Sequence, residues 1–143
     1  MKVLFVCTGN SCRSVLAEYY LKKRLQDLDI RDVEVGSAGT GTSDGMRASS
    51  NSVEVLKELG IDASSHRARI VTKIMLDSYD IVFGLTQAHV NDMMLMDPKA
   101  ADKICALAEE DVPDPYGSAR YEYKKVLELI KKAIEKNVLP AVL

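Results

Sequence analysis

The sequence predicts one α/β domain, residues 1–143, in which a parallel sheet is covered by helices on both faces. Three observations indicate this fold. Short apolar segments that suit strands alternate with amphipathic segments that suit helices. The chain of 143 residues has the length of one domain and can bury a substantial core. It contains no internal repeat and no segment with the composition of a linker.

Hydrophobic spacing predicts the elements of the first half of the chain. An unbroken apolar run is typical of a strand buried on both faces, whereas apolar residues every three or four positions indicate a helix with one buried side. The segment 39–50 is rich in Gly, Ser and Thr, which predicts a loop that could form one wall of a pocket. The elements are a strand at 3–6, a helix at 14–28, a strand from 33 that ends at 36–39, and a helix at 51–59 stopped by Gly60.

The same criteria predict the elements of the second half. Thr86 is suited to cap a helix, because its hydroxyl can accept a hydrogen bond from a free backbone N–H. Met93 and Met94 in that helix are expected to fill the core, and His89 is expected to be a surface or core residue without a chemical role. The elements are a short helix at 72–77, a strand at 81–84, a helix after Thr86, a strand at 103–107 and a helix at 118–136.

The composition argues against several classes of function. The chain has 19 Lys and Arg against 21 Asp and Glu and a net charge of −2, without the basic bias of nucleic-acid-binding or membrane-surface proteins. No apolar run approaches the roughly 20 residues that span a bilayer. Three cysteines form no disulfide framework. We therefore expect a cytoplasmic monomer whose partners include neither nucleic acid nor a membrane.

The residues after the first strand carry the strongest chemical signal. Cys7 ends the strand, Arg13 begins the next helix, and the five residues between them include Gly9 and Asn10. A loop that enters a helix N-terminus presents unpaired backbone N–H groups, and the helix dipole adds positive potential, so such a loop can bind phosphate. Arg13 can hold two oxygens of the same anion. Cys7 would then lie beneath the phosphorus atom as a thiolate nucleophile.

A simpler interpretation is that Cys7 is a buried apolar residue and Arg13 a solvated one, which is the commoner case for an isolated C-x5-R spacing. The context favours the chemical interpretation, because a strand precedes the loop, Gly and Asn lie within it, and Arg and Ser open a helix after it. We therefore predict that Cys7 and Arg13 are catalytic. The predicted phosphate-binding residues are Thr8, Gly9, Asn10, Ser11, Cys12 and Arg13.

A second chemical element is the segment Val112–Gly117, which follows the fourth predicted strand and should lie at the same edge of the sheet. Two prolines hold Asp114 in a stiff, exposed loop. Hydrolysis of a phosphate ester needs an acid for the leaving group and a base for water, and one carboxyl can serve as both in turn. Asp-Pro is equally an ordinary turn sequence, so the residues alone leave the role of Asp114 open. Asp111 is a weaker second candidate.

The chain resembles the low-molecular-weight protein tyrosine phosphatase family over its whole length. The resemblance is strongest in the signature Cys7-Thr8-Gly9-Asn10-Ser11-Cys12-Arg13-Ser14, followed by Leu16-Ala17-Glu18. It implies a four-stranded parallel sheet and hydrolysis of a phosphorylated protein through a cysteinyl-phosphate, with no metal or organic cofactor. It also implies that Asp114 is the general acid and that Tyr116 is a wall of the pocket.

The resemblance further implies a hydrogen-bond network that keeps the loop in shape. Its members are Asn10, Ser37 and His66, and Ser14 would donate a hydrogen bond to the thiolate. Each of these residues is unremarkable alone, and a single histidine is more often structural than catalytic. Asn does tolerate the left-handed backbone that a curled loop requires. We therefore predict a supporting role for the four residues: Asn10, Ser37 and His66 hold the loop in shape, and Ser14 supports the thiolate.

Cys12 invites two further interpretations. A zinc site is disfavoured, because the other cysteines and the two histidines do not have ligand spacing. A curled loop would bring Cys12 close to Cys7, and we hypothesise that a reversible disulfide between them protects the nucleophile from overoxidation. Cys105 has no evident chemistry and is expected to pack in a strand.

The resemblance leaves the substrate open between phosphotyrosine and phosphoarginine. The family's tyrosine enzymes usually have a branched apolar residue at the position of Ser11, whereas its bacterial arginine phosphatases have a small hydroxyl residue. Segment 114–118 has one aromatic residue after the proline, where many tyrosine enzymes have two. Both features favour phosphoarginine.

Two other classes of function are weaker alternatives. The loop also resembles that of thioredoxin-coupled arsenate reductases built on the same fold. Those enzymes relay a disulfide through further cysteines after the third strand, where segment 84–91 has none. A module that binds phosphorylated residues without hydrolysing them is not supported, because nucleophile, arginine and acid are all present.

Overall fold

The computed structural model describes residues 1–143 and contains a single four-stranded sheet, so the predicted fold class is confirmed. The strands are β1 (Lys2–Cys7), β2 (Glu34–Gly39), β3 (Ile81–Gly84) and β4 (Ile104–Ala106). All strand pairs are parallel, in the order β2-β1-β3-β4. The α-helices are α1 (Arg13–Asp27), α2 (Ser50–Lys57), α3 (Lys73–Ser78), α4 (Gln87–Met96), α5 (Arg120–Ala133) and α6 (Leu139–Val142).

Strand β1 lies inside the sheet and supplies both hydrophobic cores. Side chains alternate between the two faces of a strand. Val3 and Phe5 therefore join the core that includes residues of α1, α2 and α5. Leu4 and Val6 join the opposite core, which includes residues of α3 and α4. Burial on both faces explains the unbroken apolar run, and helices cover both sides as predicted. No helix is long and apolar enough to cross a membrane.

The last predicted helix, 118–136, differs most from the structure. It begins at Arg120, and a π-helical turn spans Ile134–Val138 before α6. The wider turn lets Ile134 and Val138 both face the core, where each is completely buried. Pro140 lies in the first turn of α6, where a missing backbone N–H costs nothing. Simple 3.6-residue periodicity does not anticipate such an insertion.

Strand β2 ends within the predicted segment 36–39, whereas strand β4 is shorter than predicted. Strand β2 continues through the small residues 36–39. A Cβ on Gly39 would lie 2.5 Å from the backbone oxygen of Thr8, so a larger residue there would displace the loop that follows β1. Strand β4 is shortened to three residues, because a 3₁₀ helix occupies Pro98–Lys103.

The topology places the end of β1 at the switch point of the sheet. Strand β1 pairs with β2 on one side and with β3 on the other, so the chain leaves β1 in one direction and later returns to its other side. Parallel sheets bind ligands at such a point, outside the carboxyl ends of the strands. Cys7 is the last residue of β1 and therefore lies there.

Candidate active site

The loop between β1 and α1 curls back over the strand end. Asn10 has a φ of 51°, in the left-handed region that Asn tolerates better than most residues. Helix α1 begins at Arg13, and the backbone N–H of Ser14 points at Cys7 Sγ over 3.4 Å. The N-terminus of a helix thus faces the sulfur, as the sequence predicts for a loop that stabilises a thiolate.

The Cys7 sulfur is buried and has a second donor. Ser14 Oγ lies 2.9 Å from Cys7 Sγ. The Asn10 side-chain amide donates to Ser14 Oγ over 2.8 Å, so the hydroxyl proton of Ser14 is free to point at the sulfur. Two donors aimed at one sulfur stabilise its anionic form.

Asn10 organises the underside of the loop. Its side chain is completely buried, and its amide also donates to Ser37 Oγ over 2.8 Å. Its side-chain oxygen accepts from the Arg69 backbone N–H over 3.0 Å, and its carbonyl oxygen accepts from His66 Nε2 over 2.9 Å. The structure therefore brings Asn10, Ser14, Ser37 and His66 into one network. The Asn10 side chain turns away from the cavity, so among the predicted phosphate-binding residues it is the exception.

Glu18 extends this network and was not assigned a role from the sequence. Its carboxylate is buried, accepts from Ser37 Oγ and from Lys22 Nζ, and lies 3.9 Å from His66 Nδ1. Burial lowers the pKa of His66, although the Asn10 carbonyl and the Glu18 carboxylate oppose that shift. The sequence could have indicated this position, because Glu18 lies one helical turn after Ser14 and therefore on the same side of α1, facing the network.

A cavity of about 390 Å³ opens above the sulfur. Eight predicted site residues line it together, and four further residues come from the loop that was predicted as a pocket wall. The predicted residues are Cys7, Thr8, Gly9, Ser11, Cys12, Arg13, Asp114 and Tyr116; the additional ones are Thr42, Met46, Arg47 and Ser49.

Arg13 and Asp114 meet at this cavity. The Arg13 side chain is nearly buried, and its Nη1 donates to the Val112 carbonyl over 3.1 Å. Its Nη2 lies 3.6 Å from Asp114 Oδ2. The Asp114 side chain remains 52% exposed, and its Oδ1 accepts from the Tyr116 backbone N–H over 3.1 Å. The guanidinium is therefore fixed beside the loop, whereas the carboxyl is open to a leaving group and to water.

Two exposed apolar side chains stand at the cavity. Tyr116 is 73% exposed and Met46 is 58% exposed, and both line the cavity. Exposed apolar groups at the edge of a polar cavity are typical of a ligand contact. They could flank the stem of a phosphorylated side chain.

Cys12 lies at the cavity floor with its sulfur turned toward the core. Its Sγ is 3.4 Å from Tyr123 Oη and 3.4 Å from Ser49 Oγ. Burial and the contact with Cys12 raise the pKa of Tyr123 to about 12, so its hydroxyl stays protonated. Cys105 lies on β4 as predicted, but it is exposed and is not packed in the core, and partial desolvation raises the pKa of its thiol. No three His, Cys, Asp or Glu side chains converge in a way that could hold a metal ion.

Two further residues contact the site's loops: His89, which was expected to have no chemical role, and Asp111, the weaker candidate for the acid. His89 is buried, and its Nε2 lies 2.9 Å from Thr8 Oγ1. Asp111 Oδ1 accepts from the Gln87 backbone N–H over 2.8 Å, at the start of α4. Nothing in the sequence spacing connects Thr8 with His89, because they are 81 residues apart.

Comparison with known proteins gives consistent matches. Residues 2–141 match the family "Low molecular weight phosphotyrosine protein phosphatase". A protein-arginine-phosphatase of Geobacillus stearothermophilus is 33% identical over 141 residues, covering 94% of this chain and 92% of that protein. Arsenate reductase 2 of Staphylococcus haemolyticus is 32% identical over 133 residues, covering 93% of this chain and 92% of that protein.

Solved structures are similar over almost the whole chain. A low molecular weight protein tyrosine phosphatase from T. tengcongensis is 42% identical, has a TM-score of 0.90 and covers 95% of this chain and 96% of its own. A mutant arginine phosphatase with a phosphorylated active-site serine is 28% identical, has a TM-score of 0.88 and covers 96% of this chain and 98% of its own.

Proposed function

Because the chain belongs to the low molecular weight phosphotyrosine protein phosphatase family and is a cysteine-dependent protein phosphatase, we propose that it acts through a phosphoryl group carried on Cys7. The observation that carries this proposal is the convergence of the Cys7 sulfur, the Arg13 guanidinium and the Asp114 carboxyl on one cavity. A nucleophile, a phosphate-binding cation and a proton donor suffice for phosphoryl transfer without a metal.

The first step forms the covalent intermediate. The Cys7 thiolate attacks phosphorus, and the bond from phosphorus to the substrate's leaving atom breaks. Asp114 gives its proton to that atom as it departs. Arg13 and the backbone N–H groups of the loop stabilise the negative charge on the three equatorial oxygens. The Ser14 hydroxyl and backbone N–H support the thiolate before attack.

The second step returns the enzyme to its starting state. Asp114, now ionised, takes a proton from water, and the water oxygen attacks phosphorus. The phosphorus–sulfur bond breaks, inorganic phosphate leaves, and Ser14 stabilises the thiolate that is released. The exposure of the Asp114 carboxyl supports this role, because both the leaving group and the water must reach it.

Within this reaction we propose phosphoarginine in proteins as the preferred substrate over phosphotyrosine. Ser11 lines the cavity, and its backbone is held in place because its carbonyl accepts from the Ser49 N–H and the Ser52 hydroxyl. Its own hydroxyl has only a distant sulfur partner, Cys12 Sγ at 3.6 Å. That hydroxyl is therefore available to accept from a guanidinium N–H, which a branched apolar side chain could not do.

The relatives support both substrates. The 33% identical relative is named a protein-arginine-phosphatase, whereas the 42% identical structure is described as a tyrosine phosphatase. Overall identity therefore does not discriminate between the two substrates, and the proposal rests on the chemistry of Ser11.

The test compares phosphate release from two peptides that differ only in carrying phosphoarginine or phosphotyrosine. We expect a higher kcat/KM for phosphoarginine and no release by Cys7→Ser. Ser11→Ile introduces a branched apolar residue and should shift the ratio of the two kcat/KM values toward phosphotyrosine. A higher kcat/KM for phosphotyrosine in the wild type would contradict the substrate assignment while leaving the hydrolytic mechanism intact.

Arsenate reduction is the second candidate, because one 32% identical relative is named an arsenate reductase. The chain has three cysteines, and the only one outside the phosphate-binding loop, Cys105, lies on edge strand β4. Segment 84–91 offers no relay cysteine beside the loop. We therefore expect no thioredoxin-dependent turnover of arsenate, and its detection would favour the reductase.

A further inference from the structure

His89 is held in one tautomer by the start of helix α4. Its Nδ1 lies 3.1 Å from the Thr86 backbone nitrogen, which can only donate, so Nδ1 is the acceptor, and Thr86 Oγ1 at 2.8 Å can donate its proton to the same nitrogen. The ring proton is therefore on Nε2, which donates to Thr8 Oγ1 over 2.9 Å. Thr86 Oγ1 accepts from the His89 backbone N–H in return, so the two residues form a reciprocal cap.

This contact orients a hydroxyl at the phosphate-binding loop. Thr8 is exposed and lines the cavity. Because the ring N–H of His89 occupies an acceptor position on Thr8 Oγ1, the hydroxyl's own proton is free for another partner. The Thr8 backbone is fixed separately, since its carbonyl accepts from the Gly41 N–H over 3.0 Å.

The same helix end also holds the loop that carries Asp114. Gln87, the first residue of α4, donates its backbone N–H to Asp111 Oδ1 over 2.8 Å. Next to Asp111, the Val112 N–H donates to the Leu85 carbonyl over 3.0 Å. The start of α4 therefore contacts the loop of the nucleophile through His89 and the loop of the acid through Gln87.

Burial favours the neutral imidazole. Removal from solvent lowers the pKa of His89 most, and the positive charge of Arg13 lowers it further. Asp92 on α4 and Asp111 and Asp114 on the acid loop oppose the shift. An imidazolium would carry a proton on Nδ1, and the Thr86 backbone N–H would then lose its acceptor.

We propose that His89 is a positioning residue of the phosphatase reaction, which orients the Thr8 hydroxyl toward the bound phosphoryl group and fixes the phosphate-binding loop relative to the acid loop. This inference rests on the proposed function, because it concerns the reaction at Cys7. His89 does not touch the reacting atoms and acts through Thr8.

Two substitutions separate positioning from mere helix capping. The variants are His89→Gln and His89→Glu. Both new side chains have an oxygen that can accept from the Thr86 backbone N–H, as Gln and Glu do at this position of a capping box. Only Gln can also donate to Thr8; Glu would accept the Thr8 proton and turn the hydroxyl away from the cavity. Asn91→Glu on the same helix, at an exposed position, controls for the added charge.

We expect kcat to fall about fivefold or more in His89→Glu, the loss of roughly one hydrogen bond, while His89→Gln and Asn91→Glu stay near wild type. Thr8→Val should lose a similar factor. The double variant Thr8→Val with His89→Glu should lose no more than the worse single variant, because both act through one contact. Both variants should remain folded under the assay conditions, with the lower urea midpoint in His89→Glu, because a buried carboxylate costs more free energy than a buried amide.

These measurements distinguish a failure of the positioning role of His89 from a failure of the proposed phosphatase activity. Wild-type kcat in His89→Glu, or multiplicative losses in the double variant, would overturn the positioning role while the phosphatase activity stands. Equal losses in His89→Gln and His89→Glu would also overturn it, because a purely structural histidine would behave so. Absence of Cys7-dependent phosphate release from the wild type would instead overturn the proposed function and this inference with it.

Discussion

Arg13 Nη2 lies 3.6 Å from Asp114 Oδ2, so the cation that would bind the phosphoryl group is paired with the carboxyl that would protonate the leaving group. The pair connects the first turn of α1 with the loop after β4. Because Asp114 is half exposed, such a pair contributes no more than about 1 kcal/mol. A doubly charged phosphate ester can therefore compete for Arg13 and leave the carboxyl free to act on the leaving atom.

Replacing the acid should affect poor leaving groups most. Asp114→Asn cannot protonate the departing atom, so we expect kcat/KM, which reports the first step, to fall roughly a hundredfold or more on an alkyl or unactivated aryl phosphate. The loss should be much smaller on p-nitrophenyl phosphate, whose leaving group needs little protonation. Asp111→Asn is the matched control, because Asp111 contacts the Gln87 N–H, and any loss there should not depend on the leaving group. The reverse pattern would make Asp111 the acid.

Removing the Ser14 hydroxyl should slow the reaction at Cys7. Ser14→Ala deletes the donor that lies 2.9 Å from Cys7 Sγ, a hydrogen bond to a charged group. We expect kcat to fall roughly tenfold or more. Ser78→Ala, whose hydroxyl donates to a backbone carbonyl at the surface, is the control and should leave kcat unchanged. An unchanged kcat in Ser14→Ala would refute this role.

The two buried histidines should make the fold sensitive to mild acid. Burial lowers the pKa of His66 and of His89 below the ordinary value of 6.5. As the pH falls through 6.5, the unfolded chain therefore binds more protons than the folded one, and the free energy of unfolding decreases. Urea midpoints at about pH 7.5 and 5.5 measure this loss. His89→Gln should lose less stability than the wild type over the same interval, and an equal loss would show that His89 titrates normally.

Cys12 should protect the nucleophile through the hypothesised disulfide with Cys7. Peroxide oxidises the Cys7 thiolate to a sulfenic acid, and attack by the Cys12 sulfur releases water and forms the disulfide. Dithiothreitol should therefore restore most of the activity of the oxidised wild type and little of the activity of oxidised Cys12→Ser. Cys105→Ser should behave like the wild type, because Cys105 lies on the edge strand. Equal recovery of Cys12→Ser and wild type would remove the basis of the hypothesis.

The parts of the site that lie close together in the sequence were predictable. Cys7 and Arg13 are six positions apart, and a strand, a short loop and a helix start fix their geometry without any distant contact. The parallel sheet followed from the alternation of apolar and amphipathic segments, and it brought Asp114 to the same edge of the sheet as Cys7. The resemblance to a known family supplied the roles of Ser37 and His66, which no local pattern indicates.

What the sequence did not reveal depends on contacts between distant segments. His89 meets Thr8 only because α4 follows β3, the neighbour of β1 in the sheet. Met46 and Arg47 line the cavity because their loop folds back toward Cys7, which composition predicts only in outline. The π-helical turn after α5 arises from the demand to bury both Ile134 and Val138, a requirement that appears only once the core is assembled.

Trapping the phosphoryl group is the most direct test of whether Cys7 is the nucleophile. Asp114→Asn should react with p-nitrophenyl phosphate but hydrolyse the intermediate slowly, because the base for the second step is gone. Acid quenching within the first turnover, followed by mass spectrometry of the peptide that contains Cys7, identifies the phosphorylated residue. We expect a phosphoryl group on Cys7, a burst of p-nitrophenol before phosphate appears, and neither signal in Cys7→Ala. Phosphate release by Cys7→Ala at the wild-type rate, or a phosphoryl group on another residue, would contradict this expectation.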